Sequence, residues 1–548
     1  LNLWEGRISS QFAVEGETVN IELFCHQQLD MVSARITSSL VSNGRLKVEW
    51  IFPYAVPINT HSGYEFASPG KHSSKLELVG DNSAIISRTL DRDHYQVKID
   101  WQGEAKLTEH ANHHFVLAPQ SGRSLEFSCG FAPEVTRETL PTFAETEKNN
   151  LDHWKTFWET SGVVDFSDCT DPRAKELERR FVLSQYLTNI QSSGNMPPQE
   201  TGLVYNSWYG KAHLEMHWWH SAHFANWGHA EVLDKQLEWY HTIYHKALET
   251  AQMQGFKGIR WPKMVGPEGQ NSPSGVGSYL IWQQPHFIYM AEQLYRNNPS
   301  PEILNKYKDL VFATADFMAD FAVPDSTGKV YNLLPPLIPA QEHWKRQKSL
   351  TPPFELAYWH WGLTIAQEWR RRLKMPPDTL WEKVSANMAA PVQENGLYLG
   401  IANASDSYTN PDNMTDHPMV TGTLGILPEW EKIDTETMRN PLKVVMQKWD
   451  WPSTWGWDYP MVAMCATRLY EPEIALEALL KDVQKNTYLR NGHNYQSERL
   501  RIYLPGNGGL LKTISFMCAG WEGCMAPNPG FPNNGQWNVK WEGLTKAF

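Results

Sequence analysis

Carboxylate, amide and imidazole side chains lie beside tryptophan at several places in the second part of this 548-residue sequence. The chain contains 25 tryptophans, and aromatic faces pack in protein cores as well as against the C–H faces of sugar rings. Carboxyl groups can donate or accept a proton while a bond is cleaved. The pattern favours a sugar-binding site, and it occupies six stretches: Trp208 to Trp219, Gly255 to Met264, Trp282 to His286, Pro335 to Glu355, Gln447 to Trp457 and Asn494 to Leu511.

The elements that must position these stretches are helices. From residue 172 onward apolar residues recur with the helical period. The six stretches fall on loops that lead into alternate helices, where free N–H groups and the helix dipole suit polar ligands. A ring of about twelve helices with its loops gathered at one end fits this pattern. The predicted helices are 172–191, 215–227, 230–254, 280–297, 301–322, 353–374, 377–390, 434–449, 458–470, 472–484 and 509–520.

The first part of the chain has a different period. Apolar and polar residues alternate in short runs bounded by turn residues, which predicts an antiparallel β-sandwich over residues 1–150. Aromatic residues at helical spacing follow, so residues 151–171 are predicted to be a helical linker. The expected fold is mainly α with an N-terminal β domain, in which residues 172–548 form an (α/α)6 toroid. The clearest predicted strands are Val19–Leu23, Leu46–Trp50, Tyr95–Ile99 and Ser124–Phe127.

Charge and hydropathy exclude several classes of partner. The 49 Lys and Arg against 61 Asp and Glu give a net charge of −12, opposite to the positive surface that binds phosphate backbones. Polar residues interrupt every apolar run well before about 18 residues, the length that spans a bilayer. We therefore expect neither a nucleic-acid partner nor a membrane span. Since the chain begins with Leu1 and not Met, we expect a periplasmic or secreted location over a cytoplasmic one; its oligomeric state is left open.

Short motifs of the helical part resemble glycoside hydrolase family 65 and the wider six-hairpin group that includes trehalases and processing α-glucosidases. The segment Tyr209 to Glu215 is similar to a family 65 stretch in which Gly-His leads to Phe-Trp-Asp. Gly255 to Pro262 resembles its Gly-x-x-Gly-Ala-x-x-Pro segment, and Gln447 to Trp455 resembles the trehalase QWDxPxxW signature. The motifs occur in the family's order. The resemblance implies an (α/α)6 barrel with the active site at its mouth, and an oligosaccharide or glycoside as substrate.

The same resemblance assigns two catalytic carboxylates. Glu342, in Pro339-Ala340-Gln341-Glu342, resembles the Glu of the family's Gly-Pro-Asp-Glu segment, the general acid. Glu498 falls where hydrolases of this group hold the general base, shortly before the last helix. The expected reaction is exo-acting, inverting hydrolysis of a terminal α-linked sugar. Glu355 is the rival acid, and Asp450 and Asp458 are reserve carboxylates.

The resemblance also places substrate-binding residues at the helix starts. Glu215 falls where family 65 has an Asp that binds substrate hydroxyls. Gln284 departs from the family's Glu-x-His stretch. The complete predicted substrate-binding set is His213, Glu215, Trp261, Trp282, Gln283, Gln284, His286, Glu355, Trp449, Asp450 and Asp458.

Other functions remain open from the sequence. A glycoside phosphorylase would hold phosphate in place of the base, and Glu498 argues against it. A uronic-acid lyase or a catalytically silent carbohydrate-binding protein would suit the same fold. No cofactor and no metal site are expected, because closely spaced His beside Trp more often pack and bind sugar hydroxyls than ligate metal. Lys211, Arg260 and Lys263 are either carboxylate-binding cations or solvated loop charges.

Overall fold

The computed structural model describes residues 1–272 and 274–548, which divide into two compact units. The first unit comprises Leu1–Ile58 and Ser62–Ser161, and the second comprises Asn59–His61 and Gly162–Phe548. In the described part of the chain, no helix is both long and apolar enough to cross a membrane.

The first unit is an antiparallel sheet domain, as predicted. Seven strands form one sheet in the order Ile8–Val14, Glu17–Cys25, Met31–Thr37, Ser124–Ala132, Asp93–Gln102, Ser83–Leu90 and His72–Gly80. Three strands form a second sheet in the order Ala105–Ala111, His114–Pro119 and Val48–Ile51.

One hydrophobic core joins the two sheets. Val97 and Ile99 of the larger sheet pack with Phe115 and Leu117 of the smaller one, and all four are buried. Alternation of side chains across each strand supplies these inward residues. Helix α1, Ser39–Ser42, is a single turn, and helix α2, Phe143–Thr160, closes the unit behind a capping box. The predicted boundary at residue 150 lies inside α2, which extends the first unit to Ser161.

The second unit is built from helices. Short two-stranded pairs join its loops, among them Ala212–His213 with Met264–Val265 and Thr487–Tyr488 with Asn494–Tyr495. The helices are α3 Ala174–Ser192, α4 His217–Asn226, α5 Ala230–Thr242, α6 Tyr244–Met253, α7 His286–Asn297, α8 Pro301–Phe321, α9 Pro353–Arg372, α10 Thr379–Ala386, α11 Gly422–Gly425, α12 Thr435–Lys448, α13 Asp458–Arg468, α14 Pro472–Leu479 and α15 Leu504–Ala519.

Six of these helices contact one another in a closed order. Helix α4 packs on α7, α7 on α9, α9 on α11, α11 on α13, α13 on α15, and α15 returns to α4. The remaining helices pack outside this ring; for example, α5 contacts α4, α8 contacts α7 and α9, and α14 contacts α13. Every residue of α4, α13 and α15 is buried, as expected for helices with protein on all sides.

A glycine lets the last inner helix meet the first. A Cβ atom on Gly508 would lie 2.0 Å from the carbonyl oxygen of Trp219, so only glycine fits between α15 and α4. The sequence predicted the last helix to begin at residue 509, because Gly506, Gly508 and Gly509 favour a loop. Tertiary packing overrides that local preference, and α15 begins at Leu504.

Candidate active site

The site centres on two carboxylates that share one ammonium group. The Lys263 Nζ lies 3.0 Å from Glu215 Oε2 and also donates a short hydrogen bond to Glu342 Oε1. Glu215 is fully buried, whereas the side chain of Glu342 is 24% exposed. Glu342 is therefore the member of this group that a ligand can reach.

Backbone pairing fixes Glu215 and Lys263 side by side. The strand Ala212–His213 pairs with Met264–Val265, and the Glu215 N–H donates to the Lys263 carbonyl at 3.2 Å. Predicted binding residues surround the carboxylate. The Trp282 indole N–H donates to Glu215 Oε1 at 2.9 Å, and His213 Nε2 lies 3.1 Å from Oε2. His286 binds the backbone carbonyl of Glu215 at 3.1 Å, so His286 positions the segment and does not contact the carboxylate.

The environments of the two carboxylates move their pKa values apart. Burial would raise the pKa of Glu215, but the Lys263 charge and the His213 hydrogen bond hold it below its ordinary value. Burial raises the pKa of Glu342; Lys263 opposes this shift, and the charges of Glu215 and Asp416 add to it. Two carboxyl groups whose pKa values diverge in this way are typical of sites that need one ionised and one protonated group.

Glu355 supports the loop that carries Glu342. Its side chain is buried at the first turn of α9 and accepts the Ala340 N–H at 2.6 Å. Burial raises the pKa of Glu355 to about 7, against the effect of its backbone hydrogen bonds. The predicted rival acid is thus a positioning residue for Ala340-Gln341-Glu342.

The raised pKa of Glu355 predicts a pH-dependent loss of stability. In the unfolded chain a Glu has a pKa of about 4.3, so the unfolded state releases this proton at a lower pH than the folded state. The free energy of unfolding therefore falls by up to about 3 kcal/mol as pH rises from about 4 to above 7. We expect Glu355→Gln, which keeps an acceptor for Ala340, to have a higher urea midpoint than wild type at pH 8 but not at pH 4.

The matched control for this measurement is Glu302→Gln. Glu302 also lies in the first turn of a helix, α8, but it is exposed, and its own backbone N–H and the Ser300 side chain lower its pKa. Glu302→Gln should give no gain at pH 8. If the urea midpoints of wild type and Glu355→Gln depend on pH in the same way, the pKa of Glu355 is not raised in the folded state.

A second charged group lies at the start of α13. His417 Nδ1 contacts both oxygens of Asp458, at 2.9 and 3.0 Å, and its Nε2 lies 3.4 Å from Asp416 Oδ1. Burial disfavours the charged imidazole, but Asp416 and Asp458 raise the pKa of His417 to about 9. Asp458 is inaccessible, and Trp455 N–H also donates to it at 2.8 Å; the Asp416 side chain is 20% exposed. Of the two carboxylates that His417 contacts, Asp416 is therefore the one that a ligand can reach.

The backbone at Asp416 is held in an unusual conformation. Its φ of 62° lies in the left-handed region, which is uncommon for a residue other than glycine. Two contacts keep it there: Ser453 Oγ accepts the Asp416 N–H at 2.8 Å, and the Trp449 indole donates to the Asp416 carbonyl at 2.8 Å. Local strain of this kind is concentrated at functional sites. Trp449, predicted to bind substrate, thus supports the Asp416 loop.

Stacked tryptophans lie beneath the carboxylates. Trp457 stacks on Trp219 and on Trp282, with ring centroids 4.9 and 5.5 Å apart, and His417 stacks on Trp457 at 4.1 Å. All three tryptophans are buried. They join the Glu215 group, which Trp282 contacts, to the Asp458 group, which His417 contacts.

Glu200 and Tyr503 are two further polar residues near these carboxylates. The Trp208 indole donates a short hydrogen bond to Glu200, which is buried. Burial raises the pKa of Tyr503 well above its ordinary value, and the charges of Glu200, Glu215 and Asp458 add to the shift. Tyr503 therefore lies within electrostatic range of three carboxylates, and Trp455 flanks it with a centroid separation of 5.7 Å.

Functional groups thus lie at or just before the start of each inner helix. The pairs are Glu215 with α4, Trp282 with α7, Glu355 with α9, His417 with α11, Asp458 with α13 and Tyr503 with α15.

Glu498 does not join this group. Its side chain is 77% exposed and binds Arg501 at 2.6 Å and the Tyr495 hydroxyl at 3.0 Å. These hydrogen bonds lower the pKa of Glu498. A general base must reach a water beside the sugar, so we do not retain the assignment of Glu498 as the base. Asp450, predicted to bind substrate, is likewise exposed.

Three predicted binding residues are structural. Trp261 is buried, and its indole donates to Thr314 Oγ1 at 3.0 Å. Gln284 accepts the Trp261 N–H at 2.9 Å and donates to the Ile259 carbonyl at 2.7 Å. Gln283 donates to the Trp261 carbonyl at 3.0 Å. These contacts pin the Gly255-to-Met264 segment, which carries Lys263, against the start of α7.

The histidines of α4 are buried and form hydrogen bonds within the protein core. His217 contacts Tyr240 and Gln236 at 2.9 and 2.8 Å, and His220 contacts the Glu200 carbonyl at 3.3 Å. Burial lowers the pKa of His217 to about 4 and that of His220 to about 3, so both are neutral. No group of three or more His, Cys, Asp or Glu arranged to hold a metal occurs among residues 1–272 and 274–548.

Glu200, Asp416, His417 and Tyr503 were not predicted from the sequence. The role of Lys263 was undecided there. Asp416 and His417 precede α11, a helix of four residues that begins and ends with glycine and is too short to show a helical period. Recognising that one helix was missing from the ring would have drawn attention to Thr415-Asp416-His417-Pro418.

No protein-family model and no curated protein sequence matches the chain. Solved structures match its fold. A putative kojibiose phosphorylase from the human microbiome aligns with a TM-score of 0.68 and 10% identity, over 100% of this chain and 79% of its own. A bacterial glucoamylase complexed with acarbose aligns with a TM-score of 0.53 and 11% identity, over 93% of this chain and 85% of its own. The chain therefore shares its fold with glycoside hydrolase and phosphorylase enzymes, which confirms the resemblance found in the sequence.

Proposed function

We propose that this protein is an exo-acting glycoside hydrolase that releases a terminal, α-linked sugar with inversion. The observation that carries the proposal is the partly exposed Glu342, which shares Lys263 with the buried Glu215 above a floor of tryptophan. A carboxyl group with a raised pKa beside an ionised carboxylate and aromatic surfaces suits glycosidic bond cleavage.

The ring of helix contacts supports an (α/α)6 barrel. Trp219, Trp457 and Trp282 form a buried stack, and we propose that this stack closes the barrel below the carboxylates, so that a substrate enters from the loop end. A pocket closed at its floor accepts the end of a chain and not its middle. This shape is the basis for the exo-acting assignment.

Glu342 is the proposed general acid. It donates its proton to the glycosidic oxygen while the bond from that oxygen to the anomeric carbon breaks and the leaving group departs as an alcohol. Burial raises the pKa of Glu342, which favours the protonated carboxyl that a general acid needs, and Lys263 donates a hydrogen bond to it. Glu215, which is buried, holds Lys263 in place beside Glu342.

Asp416 replaces Glu498 as the proposed general base. A water adds to the anomeric carbon, and Asp416 removes its proton, so the released sugar carries the new hydroxyl. The charged imidazole of His417 lies against Asp416, and Asp458 fixes that imidazole from the other side. This arrangement suits a carboxylate that must be ionised before the reaction begins.

The first experiment measures sugar release from kojibiose, starch and a panel of oligosaccharides and aryl α-glycosides. Kojibiose is included because one structural neighbour is named a putative kojibiose phosphorylase. We expect free sugar at equal rates with and without inorganic phosphate, and ¹H NMR should detect the β-anomer first. Formation of a sugar 1-phosphate would make the protein a phosphorylase, and absorbance of an unsaturated uronide would make it a lyase. An α-anomer formed first would overturn inversion.

A further inference from the structure

Two cations lie on aromatic rings near the carboxylates. Lys485 Nζ is 5.3 Å from the ring centroid of Trp455, and Arg499 Cζ is 5.4 Å from that of Trp208. Both tryptophans are half-buried. Trp455 donates its backbone N–H to Asp458, and Trp208 donates its indole N–H to Glu200. Each cation therefore packs on a tryptophan that is itself hydrogen-bonded to a buried carboxylate.

Each cation packs on a tryptophan that is hydrogen-bonded to a carboxylate of the candidate site. Burial lowers the pKa of Lys485, the charge of Asp458 opposes that shift, and the charge of Arg499 adds to it. The carboxylate at the start of α13 and the guanidinium of Arg499 therefore both act electrostatically on Lys485. The ring of Tyr503 lies beside that of Trp455.

Neither cation has a carboxylate partner. Within the described parts of the chain, no Asp or Glu oxygen lies within 4.0 Å of the Lys485 ammonium or the Arg499 guanidinium. Their neighbour Arg501 pairs with Glu498, and Lys263 has two carboxylates. Lys485 is half-buried, and a partly desolvated cation without a counter-ion is costly. An anionic ligand would supply that counter-ion.

We infer that Lys485 and Arg499 bind a carboxylate or sulfate carried by the leaving-group side of the substrate. The inner site contains Glu200, Glu215, Glu342, Asp416 and Asp458, and these repel an anionic sugar at the deepest position. We place the anionic group on the leaving-group part of the substrate, away from these carboxylates and against Lys485 and Arg499. The inference rests on the proposed function and adds to it the substrate class: an acidic glycoside.

A pair of synthetic glycosides isolates the charge. The sugar is the best one found in the panel, and the aglycone is 4-carboxyphenyl or 4-carbamoylphenyl, which match in shape. The ratio of kcat/KM for the two substrates is measured in wild type, Lys485→Met and Arg499→Met. Because the leaving-group chemistry is the same in every variant, a change in the ratio reports recognition of the charge.

We expect each substitution to lower the carboxylate-to-carbamoyl ratio about tenfold, the size of one charge-assisted hydrogen bond. The effect should appear mainly in KM and weaken at 1 M salt, where charges are screened. The control is Arg501→Met, which removes a cation of the same loop that is already paired. Its ratio should equal that of wild type.

Two results would overturn the inference. If the ratio is the same in wild type and both variants while cleavage persists, the proposed function stands and the anion site falls. If inorganic phosphate accelerates cleavage in wild type but not in Lys485→Met, with sugar 1-phosphate as product, the cations serve a co-substrate. If neither glycoside is cleaved, the proposed function fails, and calorimetric binding of both glycosides decides the anion site by the same ratio.

Discussion

Glu342→Gln is expected to lower kcat/KM about 10³-fold on a glycoside with a poor leaving group, such as an alkyl glycoside or a disaccharide. General acid catalysis contributes roughly 10²- to 10⁴-fold, and the amide has no acidic proton to give. On a 2,4-dinitrophenyl glycoside or a glycosyl fluoride the loss should be about tenfold or less, because these groups depart without protonation. The measurement is a comparison of initial rates on both types of substrate.

The substitution preserves the surroundings of residue 342. The Gln oxygen can still accept a hydrogen bond from Lys263, which also binds Glu215. Glu498→Gln is the matched control: it makes the same chemical change in an exposed side chain, and we expect nearly wild-type rates. An equal loss on good and poor leaving groups would contradict the role of Glu342 as the acid. A large loss in Glu498→Gln would restore Glu498 as the base.

Asp416→Asn is expected to lower kcat/KM by about 10²- to 10⁴-fold on both types of substrate. Water must be activated whatever the leaving group, so an activated aglycone does not compensate for the lost base. Asparagine tolerates the left-handed backbone that Asp416 adopts, so the loop should keep its conformation. Rates on the alkyl and dinitrophenyl glycosides, measured beside those of Glu342→Gln, separate the two roles.

Asp412→Asn is the control for Asp416→Asn. Asp412 lies four residues earlier in the same loop and is exposed, and we expect its substitution to leave both rates unchanged. Wild-type turnover by Asp416→Asn would exclude Asp416 as the base. Asp458, held by His417 and Trp455, would then be the next carboxylate to replace.

The sequence by itself determined the order and type of the elements. Alternating runs such as Tyr95–Ile99 predicted the antiparallel domain, and the helical period predicted most helices of the second unit. Both follow from local periodicity, because a strand or helix that buries one face must repeat its apolar residues accordingly. The placement of polar groups before alternate helices also followed from the sequence, since consecutive antiparallel helices bring every second N-terminus to the same end.

Only the tertiary structure decided which of these polar groups meet, because the loops that carry them are positioned by contacts between distant segments. Lys263 and Glu342 are separated by 79 residues, and His417 and Asp458 by 41. Neither spacing has a local signature. The path of each loop also sets exposure: it turns Glu498 to solvent, buries Glu355 and leaves Glu342 and Asp416 partly accessible. Burial and neighbouring charges set the pKa values of carboxyl groups, so the division into acid and base depends on packing that the sequence does not express locally.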